Sequence, residues 1–304
     1  MTLHRQTAEL LAGIAALGLP SIDELTPAEA RVQRAALLRP SPEPIAEVRD
    51  LDAGGVGARF YRPNRTRSRG LLVWFHGGGW VLGDLESHDD LCRALANRGG
   101  FRVLSVDYRL APEHPYPAAV DDARTAVAWA RDHAAELDCD PFIAVGGDSA
   151  GGNLAAIVAN RPIAPVCFQV LVYPCTDARM GSASFTEHAT GLNLTASSMA
   201  WFYGHYLGAS GSPDDPEVSP LLEDDARLAS APSAIVVTAE YDPLRDDGDA
   251  YAARLAQSGV ATSHVRFDGQ VHGFFSMFGL LDDARSAHAL VAEAVHTAFA
   301  KQHA

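Results

Sequence analysis

Apolar residues along this chain gather into short runs separated by stretches of helical periodicity. Leu71 to Phe75, Phe101 to Asp107, Phe142 to Val145, Phe168 to Tyr173, Ala234 to Ala239 and Ser263 to Phe267 have the length of strands. In Leu71-Leu72-Val73-Trp74-Phe75 every position is apolar, the pattern of a strand buried on both faces. Between and after these runs, Ala118 to Glu136, Gly151 to Asn160, Asp247 to Gln257 and about Asp282 to Ala300 read as helices. Alternation at this spacing predicts an α/β fold, a mostly parallel sheet with helices on both faces. Ile45 to Leu51 and Ala58 to Arg62, joined across Ala53-Gly54-Gly55, add an antiparallel hairpin at its start.

Upstream, Leu10, Ile14 and Leu17 fall at helical spacing, which predicts a surface helix with one apolar face. Glu9, the lack of a basic cluster and the lack of an Ala-x-Ala-like cleavage site argue against a signal peptide. Thr26-Pro27-Ala28-Glu29 is a capping box with proline at the first helical position, so a second helix should run to about Leu38, stopped by Arg39 to Pro44. The stretch from about Cys175 to Ser219 breaks the alternation and groups Trp201, Phe202, Tyr203 and Tyr206. It is too long for an ordinary connection and is read as a lid or binding element.

Composition narrows the function classes. With 47% hydrophobic and 20% charged residues, the chain of 304 can bury a large core. Its 38 acidic against 24 basic residues, a net charge of -14, argue against nucleic acid or an anionic membrane as partner. No apolar run is long enough to span a bilayer. Cys92, Cys139, Cys167 and Cys175 are widely spaced, with no Cys-x-x-Cys, so neither a metal site nor a redox pair is indicated and a reducing cytoplasm is expected.

Candidate chemistry centres on Gly147-Asp148-Ser149-Ala150-Gly151, which follows a strand and opens a helix, the setting of a nucleophile elbow. A serine hydroxyl needs a base, itself oriented by a third group. In this strand order the acid and the histidine should follow the serine, each just past a strand end. Asp242 follows the strand ending at Ala239, and His272 follows the one ending at Phe267. Asp246 and Asp247 are explained as first-turn acids of a helix, Glu240 as a neighbour of the acid. Of the 12 histidines, His272 alone has the required order and setting. His76-Gly77-Gly78-Gly79-Trp80 follows the strand ending at Phe75, where a glycine loop completes an oxyanion hole whose other donor is the amide of Ala150. His76 itself is read as an anchor for that loop. Trp80, Trp201, Phe202 and Phe274 are candidates for lining the substrate pocket, with core packing the competing reading for each.

Together with Asp107-Tyr108-Arg109-Leu110-Ala111-Pro112-Glu113-His114-Pro115-Tyr116-Pro117, Gly152-Asn153, Asp242-Pro243-Leu244-Arg245-Asp246 and His272-Gly273-Phe274, these motifs resemble the hormone-sensitive lipase family of α/β-hydrolases, also called bacterial family IV esterases. The resemblance runs from about His76 to His272. It implies one α/β-hydrolase domain over residues 1–304, with an eight-stranded sheet and a helical cap made from residues 1–44 and about 176–218. It further implies hydrolysis of carboxylic esters with short to medium acyl chains and no cofactor or metal. Ser149 is then nucleophile, His272 base and Asp242 orienting acid, with Gly77, Gly78 and Ala150 as oxyanion donors. The expected partners are a small-molecule ester and, at most, a second copy of the chain. An amidase or lactonase on the same triad, or a receptor of the same fold that has lost catalysis, are the competing readings.

Overall fold

Successive side chains of a strand point to opposite faces of a sheet, so an all-apolar strand needs cover on both sides. The computed structural model, which describes residues 2–38 and 42–302, shows how Leu71–Phe75 finds it. Leu71, Val73 and Phe75 enter one layer of core and Leu72 and Trp74 the other, all without exposed surface.

In chain order the elements are α1 (Arg5–Ala16), α2 (Pro27–Leu37), β1 (Glu47–Asp52), β2 (Gly57–Arg62), β3 (Leu71–Phe75), α3 (Asp89–Gly99), β4 (Arg102–Asp107), α4 (Ala118–Asp132), β5 (Ile143–Asp148), α5 (Ala150–Asn160), β6 (Val166–Val172), α6 (Ala183–Glu187), α7 (Ala196–Leu207), α8 (Asp225–Ala229), β7 (Ala234–Tyr241), α9 (Arg245–Gln257), β8 (Thr262–Val271) and α10 (Asp282–Lys301). The strands form one eight-stranded sheet in the order β1-β2-β4-β3-β5-β6-β7-β8. β2 runs antiparallel to both its neighbours, and every other pairing is parallel. Leu154 and Val158 of α5 fill one face; Leu91 and Leu95 of α3, with Val291 and Phe299 of α10, fill the other. α5 carries no charged residue, and all of it is buried.

The predicted strands all form, β8 reaching on to Val271. α3 has no counterpart among the helices expected from periodicity, although Asp89 and Asp90 in its first turn and Gly100 in the left-handed conformation at its end are ordinary helix signals. The stretch after β6 also holds helices, α6 and α7, with Thr195 capping the second by accepting from the Ser198 amide.

The N-terminal helices are tied to the body. The capping box of α2 forms, Thr26 Oγ1 accepting from Glu29 N while Glu29 returns to Thr26 N at 2.9 Å. One turn on, the Arg31 guanidinium donates to the carbonyls of Val81 and Ala111, both at 2.9 Å, and makes a two-pronged pair with Glu113. α1 stops at Ala16, just before Leu17, and Thr7 donates to Gln270, in the last strand, at 2.8 Å. Of the proline-rich stop, Arg39 to Ser41 lie outside the described residues. Among those described, no helix is long and apolar enough to cross a membrane.

Candidate active site

The turn from β5 to α5 puts Ser149 at φ 56°, ψ −118°, a conformation costly for a residue with a side chain. It persists because the surroundings fix it. A Cβ on Gly147 would lie 2.3 Å from the backbone of Gly151, and one on Gly151 would lie 1.9 Å from the Phe75 carbonyl oxygen. Strand and helix can approach this closely only if both positions are glycine. The Ser149 amide donates to Val172 O at 2.9 Å, tying the elbow to β6.

β7 and β8 deliver the other two groups. His272 Nε2 is 3.0 Å from Ser149 Oγ, and His272 Nδ1 is 2.7 Å from Asp242 Oδ2. Asp242 has no exposed surface, and its other oxygen accepts the Leu244 amide at 2.8 Å. Asn193, from the segment before α7, donates to the His272 carbonyl at 2.9 Å. The competing acids lie elsewhere. Glu240 accepts the Gly269 amide, and Asp246 accepts the Ser184 amide and pairs with Arg245.

The oxyanion loop differs in one respect from the sequence-based expectation. The Gly77 amide donates to Asp148 Oδ1 at 3.1 Å, and a Cβ on Gly77 would lie 2.4 Å from Asp148 Oδ2. An N–H committed to a buried carboxylate is not free for a substrate oxygen, so Gly77 does not fit the donor role. Gly78 and Gly79 follow with φ 125° and 61°, turning the backbone toward the cavity above Ser149. Ala150, at the first position of α5, leaves its amide at a helix N-terminus.

Asp148, the variable position of the elbow motif, and His88 are not marked by the sequence motifs. His88 Nε2 lies 3.1 Å from Asp148 Oδ1, and both residues are buried. Burial alone would raise the Asp148 carboxyl; His88, with His76 and His272 beyond it, outweighs that and holds it below the usual range. His76 packs against Tyr108 with ring centres 4.3 Å apart and donates from Nδ1 to the Gly77 carbonyl, as an anchor of the loop would. Burial pushes its imidazole down to about 4. No signal in a single sequence marks His88, which comes from a loop 60 residues before Asp148.

A cavity of about 480 Å³ opens over Ser149 and His272. Of the four aromatic candidates, Phe202 lines it. Trp80 and Phe274 have no exposed surface and belong to the core, Trp80 stacked on Tyr206 at 4.1 Å and Phe274 set against Phe267. Trp201 packs edge-on to Phe202 outside the lining. The remaining wall is largely apolar, with Leu11 and Ile14 from α1, Leu37 from α2, and Leu194 and Met199 around the start of α7. The Phe202 ring occupies the place of a Gly79 side chain, since a Cβ there would lie 2.2 Å from it. Tyr173 also lines the cavity, its ring 4.5 Å from that of His272. Among the described residues no group of His, Cys, Asp and Glu is arranged to hold a metal ion.

Behind Asp242, Asp247 opens α9 with 2% of its surface exposed. Burial, with Asp177, Asp242 and Asp246 nearby, pushes its carboxyl up to about 8. Unfolded, the same group titrates near its ordinary value of about 3.9. The folded chain therefore holds this proton more tightly, and the contribution to stability is full below about 4 and lost progressively as pH rises to about 8. Asp247→Asn is expected to remove that loss. Thermal melts should show the variant's advantage growing between those limits to about 9 °C and then staying level; a pH-independent difference would contradict the assignment.

A serine at a strand-to-helix elbow, with histidine and aspartate supplied from later strand ends of one mostly parallel sheet, defines the α/β-hydrolase class. Residues 72–276 match the family described as alpha/beta hydrolase fold. The chain belongs to that family, in its hormone-sensitive lipase group. It is 42% identical over 279 residues to the carboxylic ester hydrolase LipN of Mycobacterium tuberculosis, covering 86% of this chain and 73% of that protein. It is also 42% identical over 242 residues to an arylesterase of Saccharolobus solfataricus, covering 76% and 78%. The solved structure of an esterase from Pyrobaculum calidifontis superposes with a TM-score of 0.88 at 39% identity, covering 97% of this chain and 98% of that one.

Proposed function

We propose that this chain is a serine carboxylesterase in which Ser149 is nucleophile, His272 base and Asp242 the group that orients it. The observation that carries the reading is the unbroken hydrogen-bonded path from Ser149 Oγ through both nitrogens of His272 to Asp242. As Ser149 Oγ attacks an ester carbonyl, its proton passes to His272 Nε2, and the imidazolium is stabilised by the buried Asp242 carboxylate. The developing oxyanion is met by the amides of Ala150, Gly78 and Gly79, the last taking the part expected of Gly77. His272 then gives its proton to the leaving alkoxide. Water, deprotonated by the same nitrogen, attacks the acyl-enzyme; the resulting tetrahedral intermediate collapses, releasing the acid as His272 returns that proton to Ser149 Oγ.

A triad alone does not separate esters from activated amides. The names borne by the relatives, carboxylic ester hydrolase, arylesterase and esterase, favour esters. A complete triad favours an enzyme over a receptor. Residues 1–44 and about 176–218 are proposed to act as the cap, because both contribute to the cavity wall above Ser149. Four free thiols support a reducing, cytoplasmic setting.

Labelling with an aryl phosphonate tests the assignment. One adduct per chain is expected, mapped by mass spectrometry to Ser149, with ester hydrolysis falling in proportion to labelling. Full labelling at another residue, or labelling of Ser149 that leaves hydrolysis intact, would overturn it.

A further inference from the structure

Five of the eight large hydrophobic side chains exposed among the described residues fall in the N-terminal helical segment: Ile14, Leu17, Leu19, Val32 and Leu37, with Val32 70% exposed. They are not scattered. Leu17, Leu19, Leu25, Val32 and Leu37 surround a second hollow, of about 630 Å³, between the end of α1 and the flank of α2. This hollow shares Leu19, Gln33 and Leu37 with the cavity over Ser149, so the two meet along a common wall. The polar side chains lining the outer hollow are already engaged, Glu29 with Thr26 and Gln33 with the Pro20 carbonyl at 3.1 Å. The rest of the lining, Leu17, Leu19, Leu25, Ala28, Val32, Ala36 and Leu37, is apolar, on a chain of net charge -14.

We propose that this outer hollow is a tail subsite, receiving the far end of a long, unbranched aliphatic chain of an ester whose carbonyl sits at Ser149. The inference rests on the esterase reading and names a substrate class for it: esters of long-chain carboxylic acids, beyond the short and medium acyl chains implied by family resemblance. Continuity with the cavity favours this occupant, because a chain anchored at Ser149 and leaving past Leu19 and Leu37 enters the hollow directly. Each methylene moved from water to an apolar wall contributes up to about fourfold in kcat/KM.

Val32 tests it well, since it lines the hollow but not the cavity and its exposure makes folding insensitive to the change. Val32→Glu and Leu17→Ser should each lower kcat/KM for monomeric p-nitrophenyl laurate about tenfold, the effect of about two displaced methylenes, while p-nitrophenyl butyrate changes less than twofold. Equal effects on both esters, or none on either, would overturn the tail subsite. So would a parent rate that climbs only above the solubility limit of the laurate, which would assign the patch to an aggregated substrate surface. A dimer in sedimentation that Val32→Glu dissociates without changing the laurate preference would assign it to a second copy. A parent that hydrolyses butyrate but not laurate defeats the tail subsite alone; one that hydrolyses neither defeats the esterase reading with it.

Discussion

Ser149→Ala is expected to lower kcat for p-nitrophenyl butyrate by about five to six orders of magnitude while leaving the fold intact. The size follows from what is lost. The seryl oxygen forms the acyl-enzyme, and without it only the oxyanion donors and binding remain, which in comparable triads leave roughly a thousandfold over the reaction in water. Folding should be spared because alanine keeps the Cβ, so the positive φ is neither relieved nor worsened, and the tie from the 149 amide to Val172 does not involve the side chain. A Ser149→Ala, His272→Ala double variant should be no slower than either single one, because the two groups act in one step. The measurement is kcat by single turnover at high enzyme concentration, with a thermal melt as control. Retention of activity within tenfold of the parent would remove Ser149 from the chemistry.

Asp242→Asn should cost about 10⁴ in kcat with little change in melting temperature. The surroundings dictate how the amide would sit. The Leu244 amide donates to Asp242 Oδ1, so the asparagine oxygen stays there and its NH₂ turns toward His272 Nδ1. Facing a donor, Nδ1 gives up its hydrogen, and Nε2 then carries one and cannot accept the proton of Ser149. The geometry survives while the tautomer is wrong. A loss smaller than tenfold, or one matched by unfolding, would show that Asp242 does not set the state of His272.

These outcomes depend on residues that the sequence alone marks, for a physical reason. A nucleophile elbow needs glycine at fixed offsets, and the acid and base must sit at strand ends, so chain order restricts them to a few positions. Ser149, Asp242 and His272 meet in space as that order requires. The glycine loop was legible as a loop but not in detail. Three consecutive glycines look alike in sequence, and it is the Asp148 carboxylate, reaching across from the elbow, that takes the amide of Gly77. Aromatic residues mislead for a related reason. Trp80 neighbours the loop along the chain, yet its left-handed backbone at φ 59° turns the ring away to stack on Tyr206. The ties of the N-terminal helices to the body are not legible in the sequence, because the partners of Arg31 lie 50 to 82 residues away and those of Thr7 and Gln6 lie 263 and 276 residues away.

The contact of Phe202 with Gly79 bears on how such enzymes can be rebuilt. The ring stands where any side chain at position 79 would have to go, so helix and loop fit as lock and key. Transplanting the 176–218 segment from a relative with a differently shaped residue at position 202 would leave the glycine turn unsupported or collide with it. The portable unit for exchanging specificity is therefore the inserted segment together with residues 76–80, and chimaeras that move the two jointly should retain turnover where those that move either alone lose it.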